Sequence, residues 1–422
     1  MGDMLTSGTE YEAARTIWNG AVTRRPLAVL RCATTADVQA GVRTAREKGL
    51  PLSVRGGGHD WAGRALTDGG LTLDLSPMRR VSVDPETAVA TVAGGATSAD
   101  VAAAAQRAGL VAVTGTAGSV GMAGLTLGGG YGPLSGRFGL AADNLLSADV
   151  VLADGTSVTA DEERDPELLW ALRGGGGNFG VVTSMRIRLH AVPTILAGMI
   201  MFGSDVLPAL EESLLRGPDE LTVQAGFITA PTGGSALFVA PTWCGEPEAG
   251  TKVLQRLTEL GEPLTAQFGP TTMTDQLAQI DAMFPAGRHV EIGARTVTGL
   301  DRTVQEILLD AADAKTSPLS AISLHSLHGA AARVPADATA FRNRTPHLMV
   351  ETIAVWEPGD PAEDRHRAWV RKTDRLPGGY PNLLGPGDAE RTAAAFGPNA
   401  ERLLSAKKRY DPELVFHAPG RL

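Results

Sequence analysis

Three runs of consecutive glycines constrain this chain more than any other feature of its sequence. They lie at residues 56–58, 128–130 and 174–177, and glycine accounts for 51 of the 422 residues. Glycine has no Cβ, so the backbone at such runs can approach another group closely and expose its N–H groups to it. The sequence therefore predicts glycine loops that lie directly against a bound molecule.

The third glycine run does not predict a Rossmann nucleotide site. Gly175, Gly177 and Gly180 match the spacing of the dinucleotide fingerprint. That fingerprint requires a strand before it and a helix after it, because the helix N-terminus holds the pyrophosphate. Here a predicted helix precedes the glycines and a predicted strand follows them. A P-loop is also excluded, since no glycine is followed by Lys-Ser or Lys-Thr.

Charge and cysteine content exclude several other classes of protein. With 38 Lys and Arg against 47 Asp and Glu, the net charge is −9, which disfavours a nucleic-acid or anionic-membrane partner. Two cysteines without a Cys/His cluster predict neither a disulfide framework nor a metal site. The N-terminus does not resemble a signal peptide, and the longest apolar stretch is too short for a bilayer. A cytoplasmic location is therefore expected.

The lengths of the predicted elements divide the chain into three regions and favour an α+β fold. Residues 1–195 alternate short strand and helix signals, such as the helix that Thr34 and Asp37 open. Residues 196–375 carry longer strand-like runs between helices, a pattern that fits an antiparallel sheet covered by helices on one face. Residues 376–422 form a tail that contains a further helix.

The first glycine run follows a short predicted strand in the segment VRGGGHDW. Arg55 and the glycines after it present consecutive N–H groups, a nest suited to an anionic pyrophosphate. His59 alone could be an ordinary loop residue. A second stretch of small residues at 115–132 could lie flat against a planar ring system, and it favours a role for His59 at the same ligand.

Several segments resemble known sequences when they are taken together and in order. They are VRGGGHDW, GTAGSVGMAGLTLGGGYG, GLAADNLL, LLWALRGGGGNFGVVT and the tail segments YPN and KKRYDPELVF. In these segments the chain resembles the berberine-bridge-enzyme-like FAD-linked oxidases, which belong to the vanillyl-alcohol-oxidase type of flavoprotein. The resemblance covers nearly all of residues 25–190 and resumes at 320–422. Between 200 and 315 the chain is similar only in general pattern.

The resemblance implies a two-part FAD-binding domain with a substrate domain inserted into it. The FAD-binding domain would comprise residues 1–195 and 376–422, and the substrate domain residues 196–375. The FAD pyrophosphate would lie on the loop from Arg55 to Gly58. The residues implied to contact FAD are Arg55, Gly56, Gly57, Gly58, His59, Ala117, Gly118, Ser119, Gly121, Gly124, Gly180, Val182, Tyr380 and Asn382.

The resemblance also predicts how the flavin is attached. His59 aligns with the histidine that bonds covalently to the flavin 8α carbon, a bond that makes the flavin a stronger oxidant. Some members add a second bond through a cysteine, but this chain has Ala117 there, which has no nucleophile. Val120 resembles the oxygen-reacting members more than the dehydrogenases and so favours an oxidase.

The predicted strand HLMVETIAVW contains the candidate catalytic base. Alternation along a strand places Met349 and Glu351 on one face and Val350 on the other. A carboxylate in an otherwise apolar strand is suited to proton transfer, although it could instead face solvent or pair with an arginine. Glu351 also aligns with the glutamate base of the alkaloid-cyclising members.

Other positions bear on the substrate. The sugar-oxidising members carry a tyrosine base where this chain has Leu383, so the resemblance disfavours a carbohydrate substrate. Trp61 occupies a place where an aromatic residue often faces the substrate, although it could equally pack in the core. Tyr380 would stack near the flavin or simply be buried. His325 and His328 lie three apart, so one of them could line the pocket.

Together these features predict an oxidase with one covalent FAD. It would oxidise a small aromatic or heterocyclic amine or alcohol by hydride transfer to flavin N5. Glu351 would act as base, and dioxygen would reoxidise the flavin and give hydrogen peroxide. The alternatives are a cyclase in which FAD is structural, a sugar or hydroxy-acid oxidase, and a binding protein with a vestigial site. An Ala-, Gly- and Arg-rich composition favours a bacterial natural-product enzyme, by analogy alone.

Overall fold

The computed structural model describes residues 2–230 and 233–416. Within these residues, helices and strands form a mixed α+β fold with three sheets, which confirms the predicted fold class. Two sheets lie between residues 3 and 190 and are built from short strands apart from one of ten residues, and the third is built from longer strands between residues 195 and 356. We refer to residues 2–190 as the N-terminal region.

The first sheet has four strands in the order β1-β2-β4-β3, and its last three strands are parallel. The strands are β1 (Asp3–Leu5), β2 (Ala28–Arg31), β3 (Leu52–Arg55) and β4 (Leu71–Asp74). The loop after β3 carries the first glycine run, so the sheet fixes where that run begins.

The second sheet is antiparallel, in the order β5-β6-β10-β8-β9, with β7 paired to β10. Its strands are β5 (Val81–Asp84), β6 (Val89–Ala93), β7 (Val111–Ala112), β8 (Leu145–Val151), β9 (Ser157–Ala160) and β10 (Val181–His190). The helices of the N-terminal region are α1 (Gly8–Ala14), α2 (Thr35–Glu47), α3 (Ser98–Arg107), α4 (Met122–Leu127), α5 (Ser135–Phe138) and α6 (Pro166–Leu172). The predicted start of α2 is confirmed, because Thr34 and Asp37 form a capping box.

The third sheet has seven antiparallel strands in the order β14-β11-β13-β12-β16-β17-β15. Its strands are β11 (Ile195–Phe202), β12 (Leu221–Thr229), β13 (Ser235–Trp243), β14 (Thr265–Thr271), β15 (His289–Val297), β16 (Ala321–Leu327) and β17 (His347–Trp356). The helices between and after these strands are α7 (Glu211–Leu215), α8 (Pro247–Thr258), α9 (Met273–Met283), α10 (Arg302–Asp313), α11 (Ala330–Arg333) and α12 (Glu363–Val370).

The two faces of the seven-stranded sheet differ in chemistry. One face is apolar and packs against α8, α10 and α12 in one continuous core, as predicted. The other face carries polar side chains and is turned towards the N-terminal region. Helix α9 departs from the prediction, since it lies over this polar face and buries Met273 and Leu277 in the core of the N-terminal region.

The tail packs back onto the N-terminal region through α13 (Ala389–Phe396) and α14 (Ala400–Tyr410). Leu403 and Tyr410 join the core that contains Trp170 of α6. Phe416, beyond α14, joins the core of the first sheet. The tail and the N-terminal region thus share their cores, while the long sheet between them in sequence has its own.

Candidate active site

A cavity of about 420 Å³ lies where the glycine loops, the polar face of the long sheet and the tail meet. Its volume is within the range of pockets that bind small ligands. Most of the site residues predicted from the sequence line it. They are Gly56, Gly57, Gly58, His59, Gly121, Gly124, Gly180, Val182, Glu351, Tyr380 and Asn382.

Two glycine loops touch each other at the wall of this cavity. A Cβ on Gly57 would lie 2.3 Å from the backbone nitrogen of Gly121, and a Cβ on Gly121 would lie 2.4 Å from that of Gly57. Real side chains do not tolerate such distances to backbone atoms, so only glycine allows this contact. The two loops form a cradle of bare backbone.

His59 forms part of the wall next to this cradle. Its ring stacks on Trp18 with the ring centroids 4.2 Å apart and the planes 16° apart. Burial lowers the pKa of His59 to about 4, because the charged form loses hydration. The imidazole is therefore neutral at physiological pH, and its ring is held in a fixed plane.

Arg55 does not reach the cavity, although the resemblance implied that it contacts the cofactor. Its guanidinium donates a hydrogen bond of 2.6 Å to the carbonyl of Ala14 and lies 3.9 Å from the carboxylate of Asp74. Only the glycines that follow it line the cavity. The side chain of Arg55 fixes the end of β3 instead.

The turn at residues 117–119 also lies outside the cavity lining. Thr116 and Val120 on either side of it are lining residues, whereas Ala117, Gly118 and Ser119 are not. The hydroxyl of Ser119 donates a 2.7 Å hydrogen bond to Asp281 on α9. The turn therefore contacts a helix of the inserted region.

Trp61 packs in a core and not in the cavity wall. It is 6% exposed and contacts Val290 and Val355 on the long sheet. Its indole N–H donates a 2.9 Å hydrogen bond to the carbonyl of Leu383. This placement corresponds to the packing role proposed as one alternative for Trp61, because Trp61 is not among the residues that line the cavity.

Tyr380 and Asn382 line the cavity and bond to each other. The Asn382 amide donates to the Tyr380 hydroxyl at 3.2 Å and to the Gly124 carbonyl at 3.1 Å. The backbone N–H of Gly130 also donates to the Tyr380 hydroxyl. Burial raises the pKa of Tyr380 to about 12, so the phenol remains protonated. These hydrogen bonds fix Tyr380 at the point where two glycine loops and the tail are in contact.

Glu351 faces the cavity from β17 and contacts His325 of β16. Its carboxylate lies 3.4 Å from His325 Nε2, and the two side chains are 13% and 10% exposed. The same ring nitrogen lies 3.0 Å from the hydroxyl of Ser323. The Gln224 amide donates to that hydroxyl at 2.8 Å. These polar groups from three strands hold the carboxylate in one place, and no arginine among the described residues forms an ion pair with it.

A second cavity, of about 540 Å³, adjoins the first. Its floor is the polar face of the long sheet, and α9 forms part of its wall. Thr116, Tyr131 and His325 line both cavities, so they mark the junction. The other end of the second cavity is exposed to solvent at β14 and α9.

Two family models match the chain. The model described as "FAD binding domain" matches residues 26–161, and the model described as "Berberine and berberine like" matches residues 372–420. The FAD-linked oxidoreductase aurO of Gibberella zeae is 34% identical, over 97% of this chain and 83% of its own length. The chain belongs to the berberine-bridge-enzyme-like FAD-linked oxidoreductases.

Two further comparisons agree with this family. The (R)-6-hydroxynicotine oxidase of Paenarthrobacter nicotinovorans is 30% identical to this oxidoreductase, over 96% of this chain and 93% of its own length. The crystal structure of 6-hydroxy-D-nicotine oxidase from Arthrobacter nicotinovorans superimposes with a TM-score of 0.89 at 28% identity. That superposition covers 99% of this chain and 96% of the other.

The residues of this oxidoreductase fit FAD. The cradle of Gly57 and Gly121 leaves room that any Cβ would fill. The cavity lining also includes the cation Arg24, which suits an anionic pyrophosphate, and Arg64, which is paired with the carboxylate of Asp60 at 2.6 Å. Arg24 donates to the carbonyls of Gly63 and Leu66, each at 3.0 Å, and forms no ion pair with a carboxylate among the described residues.

Sequence reasoning missed some residues of the site. Tyr131 follows the second glycine run directly, and an aromatic residue in that place was a signal for a ligand contact. The sequence predicted that one of two histidines could line the pocket. The structure places His325 in the lining of both cavities and buries His328 beside Leu221. No motif indicated Arg24.

Two kinds of feature are absent from the part of the chain that the structure describes. No group of three or more His, Cys, Asp or Glu side chains there could hold a metal ion. No helix there has the length and apolar character needed to cross a membrane.

Proposed function

We propose that this oxidoreductase is an oxidase that holds FAD covalently on His59 and oxidises a small aromatic or heterocyclic amine or alcohol. FAD, when bound, accepts the two electrons of a substrate C–H bond as a hydride at N5 and passes them to dioxygen, which gives hydrogen peroxide. The observation that carries the proposal is that a half-buried carboxylate, Glu351, lines the same cavity as the glycine cradle and His59.

Glu351 would act as the general base. Its carboxylate is exposed to the cavity on one side and is held by His325 on the other. It would accept the proton from the N–H or O–H of the substrate while the neighbouring C–H bond breaks. Such transfers need a base within hydrogen-bond reach of the proton and typically contribute 10²- to 10⁴-fold to the rate.

His59 would supply the nucleophile for attachment. A neutral imidazole has a nitrogen lone pair that could bond to the flavin 8α carbon, whereas an imidazolium has none. The new bond would replace one C–H bond of the 8α methyl group, and dioxygen would take up the two electrons and two protons released. The low pKa of His59, about 4, keeps that lone pair available at neutral pH. Stacking on Trp18 holds the ring in one plane and so reduces the entropy lost on bond formation.

Residues at and near the cavities support the proposed substrate class. Leu383 stands in the cavity lining where the sugar-oxidising members carry a base, which disfavours a sugar. Among the described residues that line the second cavity, none is Asp, Glu, Lys or Arg. A hydroxy acid would therefore find no cation there for its carboxylate. An amine or alcohol on an apolar ring needs neither the base used by the sugar-oxidising members nor a cation to pair with a carboxylate.

The test begins with a screen of the holoenzyme for peroxide release, on aromatic and heterocyclic amines and alcohols beside sugars and hydroxy acids. Flavin reduction by the best substrate is then followed anaerobically by stopped-flow absorbance. We expect Glu351→Gln to retain the flavin and to reduce it about 10²- to 10⁴-fold more slowly. Glu291→Gln is the matched control, because Glu291 pairs with Arg367 and does not line the cavity.

Two outcomes would contradict this function. Near-native flavin reduction in Glu351→Gln would remove Glu351 as the base. Product formation while the flavin stays oxidised would instead establish a cyclase with a structural FAD.

A further inference from the structure

Four glutamines distinguish the second cavity, which we call the amide cavity. Gln224 lies at its inner part, Gln276 on α9, and Gln267 and Gln279 at its exposed mouth. Threonines accompany them, including Thr222 and others on the sheet. The described residues that line this cavity include no Asp, Glu, Lys or Arg.

The polar groups of the amide cavity follow from strand alternation. On β12, Thr222 and Gln224 face the cavity, while the side chains of Val223 and Ala225 pack in the apolar core below. Over this part of the strand, one face is apolar and the other carries neutral hydrogen-bonding groups. The pattern places amides and hydroxyls at the cavity without a charge among them.

The amides offer both donors and acceptors to a ligand. The oxygen of Gln276 accepts a 3.0 Å hydrogen bond from Thr242, and its NH₂ group donates to Met273 Sδ at 3.9 Å, which leaves the second N–H of that group for a ligand. Gln224 donates through its NH₂ group to Ser323, which leaves its oxygen as an acceptor. A carboxamide can pair with hydroxyl, carbonyl and N–H groups alike. A carboxylate entering the cavity would lose hydration without meeting a lysine or arginine among the described lining residues.

We propose that the amide cavity binds the non-reacting part of the substrate and selects an uncharged ring system with hydrogen-bonding substituents over an anionic one. This inference rests on the proposed function in one respect. The reacting C–H would lie at the junction, where His325 adjoins Glu351. The substrates of this oxidoreductase are therefore amines or alcohols whose rings carry hydroxyl, carbonyl or lactam groups and no carboxylate.

The test compares two planar probes of nearly equal shape, 2-naphthamide and 2-naphthoate, by isothermal titration calorimetry on the holoenzyme at pH 7.5. We expect the amide to bind at least tenfold more tightly than the carboxylate. Equal affinities, or tighter binding of the carboxylate, would overturn the proposal.

Lysine substitutions on α9 test whether the probes bind in the amide cavity. Gln276→Lys introduces a cation into the cavity and should raise the affinity for 2-naphthoate at least fivefold, while the affinity for the amide does not rise. Ala278→Lys is the matched control, since this exposed residue lies two positions further on α9 and outside the lining. If Gln276→Lys lowers the melting temperature, Gln279→Lys at the exposed mouth takes its place. A response of the control equal to that of the cavity variant would overturn the location.

These measurements do not depend on turnover. A cyclase or an inactive flavoprotein would still prefer the amide if the cavity is as we propose, whereas peroxide release without probe selectivity would leave the oxidase standing and remove the cavity proposal.

Discussion

Tyr131 is held at the junction of the two cavities by a histidine behind it. Its hydroxyl lies 2.6 Å from Nε2 of His347, and Nδ1 of that ring lies 2.7 Å from the carbonyl of Thr345. Because a carbonyl can only accept, Nδ1 carries the proton and Nε2 accepts from the tyrosine. Tyr131 packs edge-to-face on Tyr380 with centroids 5.1 Å apart. One neutral histidine thus fixes two aromatic rings of the cavity wall.

Trp61 offers a direct test of packing against substrate contact. Trp61→Phe keeps most of the apolar contact but leaves the carbonyl of Leu383 without its donor. We expect a loss of about 1 kcal/mol in stability, seen as a lower melting temperature, and an unchanged KM. A raised KM at an unchanged melting temperature would instead assign Trp61 to the substrate.

At the residue scale, the sequence predicted the position of His59 and the face of Glu351, because a glycine loop and strand alternation are local patterns. It could not predict that Arg55 and Trp61 turn away from the cavity. The direction of a side chain beside a loop depends on partners far along the chain, here Ala14 for one and Val290 and Leu383 for the other.

At the element scale, strand register brings Glu351 and His325 together. In the pairing of β16 with β17, Glu351 is opposite Ser323, and His325 is opposite Met349. Glu351 and His325 are therefore diagonal neighbours on one face, which are within reach of long side chains. Alternation predicted the face of each residue, but register depends on which strands pair, and the sequence did not show that β16 and β17 are neighbours.

The contact between the two glycine loops can be tested at neighbouring positions. Gly57→Ala would force the loop of Gly121 away, so we expect a lower melting temperature of the apoprotein and a lower flavin content. Gly56→Ala is the matched control for the fold, because its Cβ would meet only the carbonyl of Gly94 at 3.5 Å, an ordinary contact. Equal melting temperatures for the two variants would contradict the close approach of the loops. Differential scanning fluorimetry suffices for the comparison.

At the scale of the whole molecule, a buried ion pair ties the tail to the cavity. Lys407 and Asp411 are both buried and bonded to each other. Lys407 also donates to the carbonyls of Asn178 and Phe416, and Asp411 accepts from the backbone of Phe416. Phe416 lines the 420 Å³ cavity that also contains His59 and Glu351 in its wall. Residues more than two hundred positions apart in the sequence are thus in contact next to this cavity. The family motifs predicted that the tail returns to the N-terminal region, whereas local sequence patterns could not predict it.

The stability of the whole molecule should decrease as pH falls from about 6.5 to about 4. Burial lowers the pKa of His347 and of His190 to about 4, whereas an unfolded histidine titrates near 6.5. Between these values the unfolded chain binds more protons, so the stabilisation is full above pH 6.5 and is lost as pH falls. For fully buried His347 this amounts to about 3 kcal/mol. Between pH 7 and 4.5, the melting temperature of His347→Gln should therefore fall less than that of the native protein. Parallel curves of melting temperature against pH would argue against a buried neutral histidine.

The central claim is that one cavity holds FAD and that His59 bonds to it. Intact-mass spectrometry of the denatured protein tests this most directly, beside His59→Ala and with acid-precipitated protein inspected for retained flavin fluorescence. We predict that the native chain carries the added mass of one FAD and that the variant carries none. Native protein that releases all its flavin on denaturation, or a variant that keeps the added mass, would contradict the claim.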